Sequence, residues 1–152
     1  MDLRKLTLKI LPNRLAVCRL DADAPLPDWI DESDFSSITR TEAELTIVCD
    51  EMLVASGTTS ETGWRCIKVE GLLDFSEIGI VSSLTQPLAE SGVSVFLIST
   101  FDTDYLMVKE KNLAETIDVL TAAGHEVVTE DRGHKHRCQV SGVRCQNKQA
   151  ET

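Results

Sequence analysis

The segment GIVSSLTQPLAESGVSVFLIS, residues 79–99, decides the fold. Its first part places Ile80, Leu84 and Leu88 on one face of a helix, because apolar residues at this spacing follow the helical repeat. Gly92 favours the end of that helix, since glycine readily adopts the left-handed conformation common after a last helical turn. The apolar run that follows, VSVFLIS, is typical of a buried strand. The segment therefore predicts a helix packed against a sheet.

Elements on both sides of this segment complete a longer order. Residues 64–70 alternate apolar and polar side chains, as a half-buried strand does. Residues 105–109 predict another strand, Asn112 suits the N-cap of a helix over 113–123, and residues 125–129 predict a closing strand. The order is β-α-β-β-α-β, which is that of ferredoxin-like folds.

The first sixty residues follow this order poorly. Residues 6–11 and 15–20 predict two short strands joined by a turn, and residues 27–30 predict one helical turn. Residues 35–49 predict a strand, a turn and a strand. Residues 51–63 end in the polar run 56–63, which has two glycines and no apolar anchor. We therefore expect an irregular, helix-poor unit here, separated from the second by this polar run.

Composition and charge narrow the classes of partner. The 152 residues are 42% hydrophobic and 26% charged, which is typical of a globular chain. A formal net charge of −10 opposes binding to nucleic acid, because phosphate contacts need clustered basic side chains. No apolar run approaches the roughly 20 residues that cross a bilayer, and the N-terminus lacks a signal peptide. We therefore expect a cytoplasmic protein with neither a nucleic-acid nor a membrane partner.

Enzymatic chemistry has no recognisable motif in this chain. Patterns for a phosphate-binding loop, a dinucleotide fold, a nucleophile elbow or a zinc protease are absent. Cys66 lies within an alternating strand, so we expect a buried small hydrophobe rather than a nucleophile. His125 opens a strand after a helix, where a surface or capping residue is expected. We predict no catalytic activity and no cofactor.

The last residues, 131–152, differ from the rest of the chain. They carry five Lys and Arg against two Asp and Glu, and they include a cluster of metal-ligating residue types. These residues are His134, His136, Cys138 and Cys145. The cluster leaves a soft-metal site as an alternative, but it lacks the doubled C-x-x-C spacing of a zinc knuckle. We therefore favour a basic, disordered tail without a metal, and free thiols for all five cysteines.

Residues 77–108 resemble the ACT domain. Within that family they resemble the branch containing the cytosolic arginine sensors of the mTOR pathway and small bacterial tandem-ACT proteins, and the motif Ile98-Ser-Thr-Phe-x-x-Asp104 is the most specific part. The segment 35–49 is similar to the incomplete first module of that branch. The resemblance implies an α+β fold of two tandem ferredoxin-like ACT modules: an irregular, helix-poor one over residues 1–60 and a complete one over residues 61–130.

The resemblance also implies a ligand site between modules, formed by the loop before the first helix and by the segment joining the second and third strands. The corresponding positions are Glu77, Ile78, Gly79, Ile80, Thr100, Phe101 and Asp104. Unpaired N–H groups at a helix start can receive an amino-acid carboxylate. Carboxylates such as Glu77 and Asp104 can bind an ammonium group. Which carboxylate binds which ligand group stays open.

Two functions remain for this fold. The first is a non-catalytic regulatory protein that binds a free amino acid at an interface between ACT modules, as a homodimer with a regulated protein partner. The second is a structural or protein–protein interaction module without a small-molecule ligand, whose exposed sheet edge mediates assembly. A thermal-shift screen of the twenty amino acids distinguishes them, because a ligand that binds only the folded state stabilises it.

Overall fold

The computed structural model describes residues 5–70 and 79–130 of the chain. The described elements are seven strands, two α-helices and three short 3-10 helices. In chain order they are β1 (Thr7–Leu20), a 3-10 helix (Asp28–Glu32), β2 (Ser37–Arg40), β3 (Leu45–Asp50), a 3-10 helix (Glu51–Leu53), β4 (Thr59–Val69), α1 (Ile80–Glu90), β5 (Phe96–Ser99), β6 (Asp104–Lys109), a 3-10 helix (Glu110–Asn112), α2 (Leu113–Ala122) and β7 (Glu126–Thr129). The α+β class is confirmed, and so is the β-α-β-β-α-β order from β4 to β7.

The seven described strands form one sheet, in which six of them follow the order β2-β3-β1-β4-β6-β5. Strand β7 joins this sheet through the first residues of β1, to which it runs parallel, with Thr7 opposite Glu126. The same part of β1 is antiparallel to β4, with Leu8 opposite Val69. Strand β1 therefore lies between β4 and β7. The first sixty residues thus supply a central strand to the sheet that carries both described α-helices.

The predicted division between modules, after residue 60, falls within β4. This strand begins at Thr59, which pairs with Arg19 at the end of β1. The polar end of the run 51–63 forms a strand because backbone hydrogen bonds to a neighbouring strand do not require apolar side chains. The two-module division of the chain stays a prediction, and the predicted tail, residues 131–152, lies outside the described residues.

A bulge near the start of β1 corrects one prediction. The prediction of two short strands joined by a turn is wrong, because β1 is one continuous strand. What lies at the predicted turn is a shift in the register of β1 against β4. Ile10 lies opposite Ile67 and Arg14 lies opposite Arg65, so β1 has two more residues than β4 between these pairs. Pro12 lies within the shift, and a bulge accommodates proline in a central strand because proline has no N–H to donate.

Strand β5 begins later than the apolar pattern predicts, at Phe96. The preceding residues close the turn after α1, where the Val93 N–H donates to the Leu88 carbonyl at 2.9 Å. Gly92 allows this turn with a φ of 78°, a conformation that residues with a Cβ rarely adopt. Val93 is buried against the helices. Its apolar character therefore reflects packing in the turn rather than strand pairing.

His125 is a buried residue, so its predicted position at the surface is wrong. Its side chain is 5% exposed, and its Nδ1 accepts the backbone N–H of Leu6 at 3.2 Å. The physical reason is the pairing of β7 with β1, which brings the residue before β7 against the residue before β1. A sequence pattern local to α2 and β7 contains no sign of this contact.

The main core lies between the helices and one face of the sheet. Every described element of the β-α-β-β-α-β unit except β5 contributes to it, and β1 together with the preceding Leu6 adds three buried side chains. Its fully buried members are Leu8, Ile67, Val69, Leu84, Leu88, Leu106, Val108 and Leu120, with Leu6, Ile10, Ile80 and Val93 nearly so. Burial of this apolar surface is the principal force that holds the helices on the sheet.

The opposite face of the sheet carries a second apolar cluster around Trp64, Cys66 and Met107. Phe35 covers part of it and meets Tyr105 edge-on, with ring centroids 5.1 Å apart. Cys66 is fully buried, and burial raises the pKa of its thiol to about 12. The thiol is therefore protonated at neutral pH, which confirms its predicted role as a small buried hydrophobe. In the described residues, no helix is long and apolar enough to span a membrane.

Candidate functional site

Both described segments of the predicted site lie at one end of the sheet. Lys68, near the end of β4, pairs with Tyr105 at the start of β6. The β5–β6 hairpin is bonded to that end of β4, because the Thr103 hydroxyl donates to the Val69 carbonyl at 2.6 Å. Thr103 is 3% exposed, so this is a buried contact. The hairpin tip is therefore held at the end of β4.

The first turn of α1 lies at the same end. Helix α1 connects β4 to β5, and these two strands run parallel because each is antiparallel to β6. The helix therefore begins at the end of β4, and its Ser82 and Ser83 line a groove that also includes His125. His125 is bonded to Leu6, and the neighbouring Thr7 accepts the N–H of Glu70, the residue that follows β4. The start of α1 is thus directed to the end of the sheet that carries the hairpin tip, as the resemblance implies.

Gly79 forms the N-cap position of α1 in the left-handed conformation, with a φ of 86°. Any side chain is strained in this backbone conformation, although the nearest atom to a Cβ here would be Ser82 Oγ at 3.9 Å. Gly79 has no side chain that can accept hydrogen bonds from the first helical turn. Among the described residues no side chain caps this turn, so its N–H groups can bond to the preceding segment, to solvent or to an anion.

The hairpin tip has a tight internal network. The Thr100 N–H and hydroxyl both donate to the Thr103 carbonyl at 2.9 Å, and the Thr103 N–H donates to the Thr100 hydroxyl at 3.2 Å. Phe101 lies at the tip with 80% of its surface exposed. Asp104 accepts the Ser99 hydroxyl at 2.7 Å. Because a carboxylate has about four acceptor positions, Asp104 retains capacity for a further donor.

The predicted site residues thus differ in what they offer. Gly79, Thr100, Phe101 and Asp104 present backbone or side-chain groups at one end of the sheet. Ile80 is 7% exposed and its side chain packs in the helix-side core, so only its backbone is available. Glu77 and Ile78 lie outside the described residues. The predicted roles of all seven residues in ligand binding stay predictions.

A second polar feature, which the sequence does not predict, lies at the β1 bulge. It is a cleft of about 690 Å³, lined by charged side chains that include Arg14, Arg65 and Asp50. The only sequence signal for it is Pro12 within an otherwise alternating strand. In the part of the chain that the structure describes, no group of three or more His, Cys, Asp or Glu side chains is arranged to hold a metal ion. The His/Cys cluster of the tail lies outside that part.

Family models match both halves of the chain. A model for the ACT domain matches residues 59–122. A separate family model, for an N-terminal domain, matches residues 13–56. The first match spans β4 to α2 and thus covers the helices, the hairpin and the predicted ligand positions.

Known proteins with similar sequences or structures agree with these models. A crystallised protein of Agrobacterium tumefaciens is 40% identical, with a TM-score of 0.81 over 88% of this chain and 99% of its own. The human cytosolic arginine sensor for mTORC1 subunit 1 is 40% identical over 65 residues, which are 41% of this chain and 20% of the sensor. The chain therefore matches only a fifth of the length of this curated relative.

A third comparison concerns the fold alone. The aspartate kinase of Clostridium acetobutylicum is 10% identical and has a TM-score of 0.59 over 82% of this chain and 36% of the kinase. Its similarity supports the α+β arrangement of the described residues. With the match to the ACT model and the Agrobacterium protein, these findings show that the chain belongs to the ACT-domain family and is homologous to the cytosolic arginine sensors.

Proposed function

We propose that this protein is a non-catalytic regulatory protein of the cytoplasm that binds a free amino acid and transmits its presence to a protein partner. The observation that carries the proposal is the placement of the glycine-capped start of α1 and the β5–β6 hairpin at one end of the sheet. The homologous arginine sensor is named for an amino-acid ligand. The segment of the sensor that matches this chain is a fifth of the sensor's length. The sensor's ligand and partners are therefore not assigned directly to this chain.

The proposed binding mode assigns one group to each part of the ligand. The α-carboxylate accepts N–H groups of the first turn of α1, close to Gly79, where the helix dipole also favours negative charge. Asp104 binds the α-ammonium or a cationic side chain through charge-assisted hydrogen bonds. Phe101 covers the apolar stem. Glu77 and Ile78 complete the proposed site from the segment before α1.

The proposed site requires a second module opposite the first. Phe101 is 80% exposed at the hairpin tip, so its ring is accessible to a ligand and to an opposing surface. In the described residues, the N-terminal sixty residues add strands to the sheet but no second pair of α-helices. We therefore propose that these residues form an incomplete first ACT-type module and that the opposing complete module comes from a second copy, in a two-fold homodimer.

Replacement of Asp104 by alanine is expected to weaken amino-acid binding at least about tenfold, because one charge-assisted hydrogen bond contributes about 1.5–3 kcal/mol. The melting temperature should change little, because among the described residues the carboxylate accepts only one hydrogen bond, from the exposed hydroxyl of Ser99. Isothermal titration calorimetry measures the affinity. Asp102→Ala is the matched control, because Asp102 is an exposed aspartate of the same hairpin. Equal affinities for the two variants would remove Asp104 from the site.

Dimer formation and ligand binding are expected to strengthen each other. If the ligand lies between two chains, the factor by which it tightens the dimer equals the factor by which the dimer tightens ligand binding. Sedimentation equilibrium with and without the amino acid that stabilises the protein most should show a dimer that the ligand strengthens. A monomer at high micromolar concentration under both conditions would refute the dimer and restrict any site to one chain.

One observation favours the alternative function, an interaction module without a small ligand. Edge strands β2 and β5 line a common cleft of about 370 Å³, and each exposes an apolar side chain, Ile38 and Leu97 respectively. Exposed edges can pair with a strand of another protein. This function predicts that none of the twenty amino acids raises the melting temperature, whereas the regulatory function predicts that at least one does.

A further inference from the structure

One side of β1 has a gap between two of its partner strands. Strand β4 pairs with β1 before and after the bulge, so β7 and β3 share the other side of β1. Strand β7 pairs as far as Ile10, whose carbonyl accepts the Glu130 N–H at 3.0 Å, and β3 pairs from Leu15 onwards. In the described residues, β1 has no strand partner on this side between Ile10 and Leu15. The gap coincides with the charged cleft of about 690 Å³, whose lining includes Asn13 and Arg14.

The end of β7 is directed into this gap. Because β7 runs parallel to β1, its end points along β1 from Ile10 towards Leu15. Strand β3 is antiparallel to β1 and ends at Asp50, opposite Leu15. The ends of β7 and β3 therefore face each other across the gap. At about 3.3 Å for each extended residue, about five residues after Glu130 are enough to span it.

The cleft presents more negative than positive charge at this place. Its lining has four carboxylates and two guanidinium groups, which give a net charge of −2, and one guanidinium, that of Arg14, forms an ion pair with Glu110. Asp50 is 5% exposed, and among the described residues its carboxylate accepts only neutral donors, the Asn13 amide at 3.2 Å and the Asp34 N–H at 3.0 Å. A buried carboxylate without a cation is costly, so a positive charge nearby stabilises it.

Glu51 provides the more accessible carboxylate of the cleft. It is partly exposed, its Oε1 accepts the Gly63 N–H at 2.7 Å, and its Oε2 accepts no hydrogen bond from the described residues. Met52, which follows it, also lines the cleft and is 85% exposed. A carboxylate beside exposed apolar surface suits lysine or arginine, because the stem of such a side chain covers apolar surface while its charged end forms an ion pair.

The residues directly after β7 carry the complementary charge. Residues 131–137 have the sequence DRGHKHR, in which Arg132, Lys135 and Arg137 stand against one acidic residue, Asp131. The whole segment 131–152 has five Lys and Arg against two Asp and Glu. The span of about five extended residues places Arg132 and Lys135 within reach of the far side of the gap.

We propose that residues 131–137 dock in the cleft of their own chain and close the gap between β7 and β3. The side chains of Arg132 and Lys135 supply positive charge to Glu51 and to the buried Asp50. Because β7 tethers the segment beside the cleft, its effective concentration is high, and a modest attraction is enough to hold it. The docked segment is part of neither the amino-acid site nor the dimer, so the proposal goes beyond the proposed function.

Charge reversal in the tail tests the docking on the full chain. The double variant Arg132→Glu/Lys135→Glu should release the segment, because the cleft then repels it. The matched control is Arg144→Glu/Lys148→Glu, which makes the same two residue changes outside the docked segment. The net charge of the chain is therefore the same in both variants, and only the position of the reversed charges differs.

Two signals of ¹⁵N-labelled protein report on the cleft. The Asn13 side-chain amide donates to Asp50, and the Gly63 N–H donates to Glu51. Both signals should shift in the Arg132→Glu/Lys135→Glu variant and stay near their original positions in the control. In the unsubstituted protein, about 1 M salt should shift them in the same direction, because it screens charges beyond about 3 Å. Equal shifts in the two variants, or none in either, would overturn the proposal.

Replacement of Glu51 by glutamine tests the cleft side of the contact. Glutamine keeps a side-chain oxygen for the Gly63 N–H but has no charge. In the Glu51→Gln background, the reversal at Arg132 and Lys135 should shift the Asn13 signal much less than it does in the unsubstituted chain. A shift of the same size in both backgrounds would overturn the contact with Glu51.

A mixing experiment distinguishes docking within one chain from docking between two copies. Unlabelled protein with its original tail is added to the ¹⁵N-labelled Arg132→Glu/Lys135→Glu variant. The Asn13 and Gly63 signals of the variant should stay at their shifted positions, because the added tails occupy their own clefts. A return to the original positions would show that the tail of a second copy fills the cleft, and it would overturn docking within one chain.

Discussion

A fragment that begins at Thr59 should not fold, although it contains all the elements of the ACT-domain match. Strand β1 lies between β4 and β7, so its removal leaves both strands without their shared partner. It also removes three buried core side chains, Leu6, Leu8 and Ile10. At about 1.5–3 kcal/mol for each buried large aliphatic side chain, this loss alone is comparable to the roughly 5–15 kcal/mol by which whole domains are stable.

Circular dichroism and urea unfolding of residues 59–152 test this expectation against the full chain. The fragment should show no cooperative transition. Addition of a separate peptide covering residues 1–58 should restore one, because β1 then returns to its place between β4 and β7. A cooperative transition of the fragment alone would show that the second module is autonomous and that β1 is dispensable to it.

The second large effect is expected from Leu106, on β6. Leu106→Ala should lower the free energy of unfolding by about 2–5 kcal/mol, because the substitution leaves a cavity in the helix-side core. Leu97→Ala is the matched control, since Leu97 is the direct partner of Leu106 across β5 and β6. Leu106 is 1% exposed and Leu97 is 36% exposed, so the control should cost about 1 kcal/mol or less.

Urea unfolding of the two variants gives both free energies under the same conditions. Because the two residues form one cross-strand pair, strand propensity and substitution chemistry are the same for both. Only burial differs. Similar losses for Leu97→Ala and Leu106→Ala would contradict the placement of Leu106 in the main core.

Elements whose signals are local were predicted well from the sequence. The spacing of Ile80, Leu84 and Leu88 predicts α1, and the three side chains are buried on one face of that helix. The strand, turn and strand over residues 35–49 are likewise confirmed as β2 and β3. For α1 the periodicity of the segment itself determines which face is buried.

Features that depend on distant pairing were not predicted. Strand β1 pairs with residues more than a hundred positions later, at Glu126 to Thr129, and no pattern within either segment indicates this. The burial of His125 follows from the same pairing. The bulge at Pro12 appears in the sequence as a turn, because proline interrupts a strand pattern in both cases.

The candidate site was predicted from the family resemblance rather than from local chemistry. The motif from Ile98 to Asp104 identifies the hairpin, and the structure adds the bond from Thr103 to Val69 that holds it. The family resemblance did not indicate the charged cleft. Its groups come from six separate elements or loops, and only the pairing of β1 with β3 and β4 brings Asn13, Asp50 and Arg65 together.

The central claim is that a free amino acid binds where the start of α1 approaches the β5–β6 hairpin. Titration of ¹⁵N-labelled protein with the amino acid that most raises its melting temperature tests this directly. The account predicts that the largest amide shifts occur at Gly79, Ile80, Thr100 and Phe101. Shifts confined to other parts of the chain, or no shifts with any of the twenty amino acids, would contradict it.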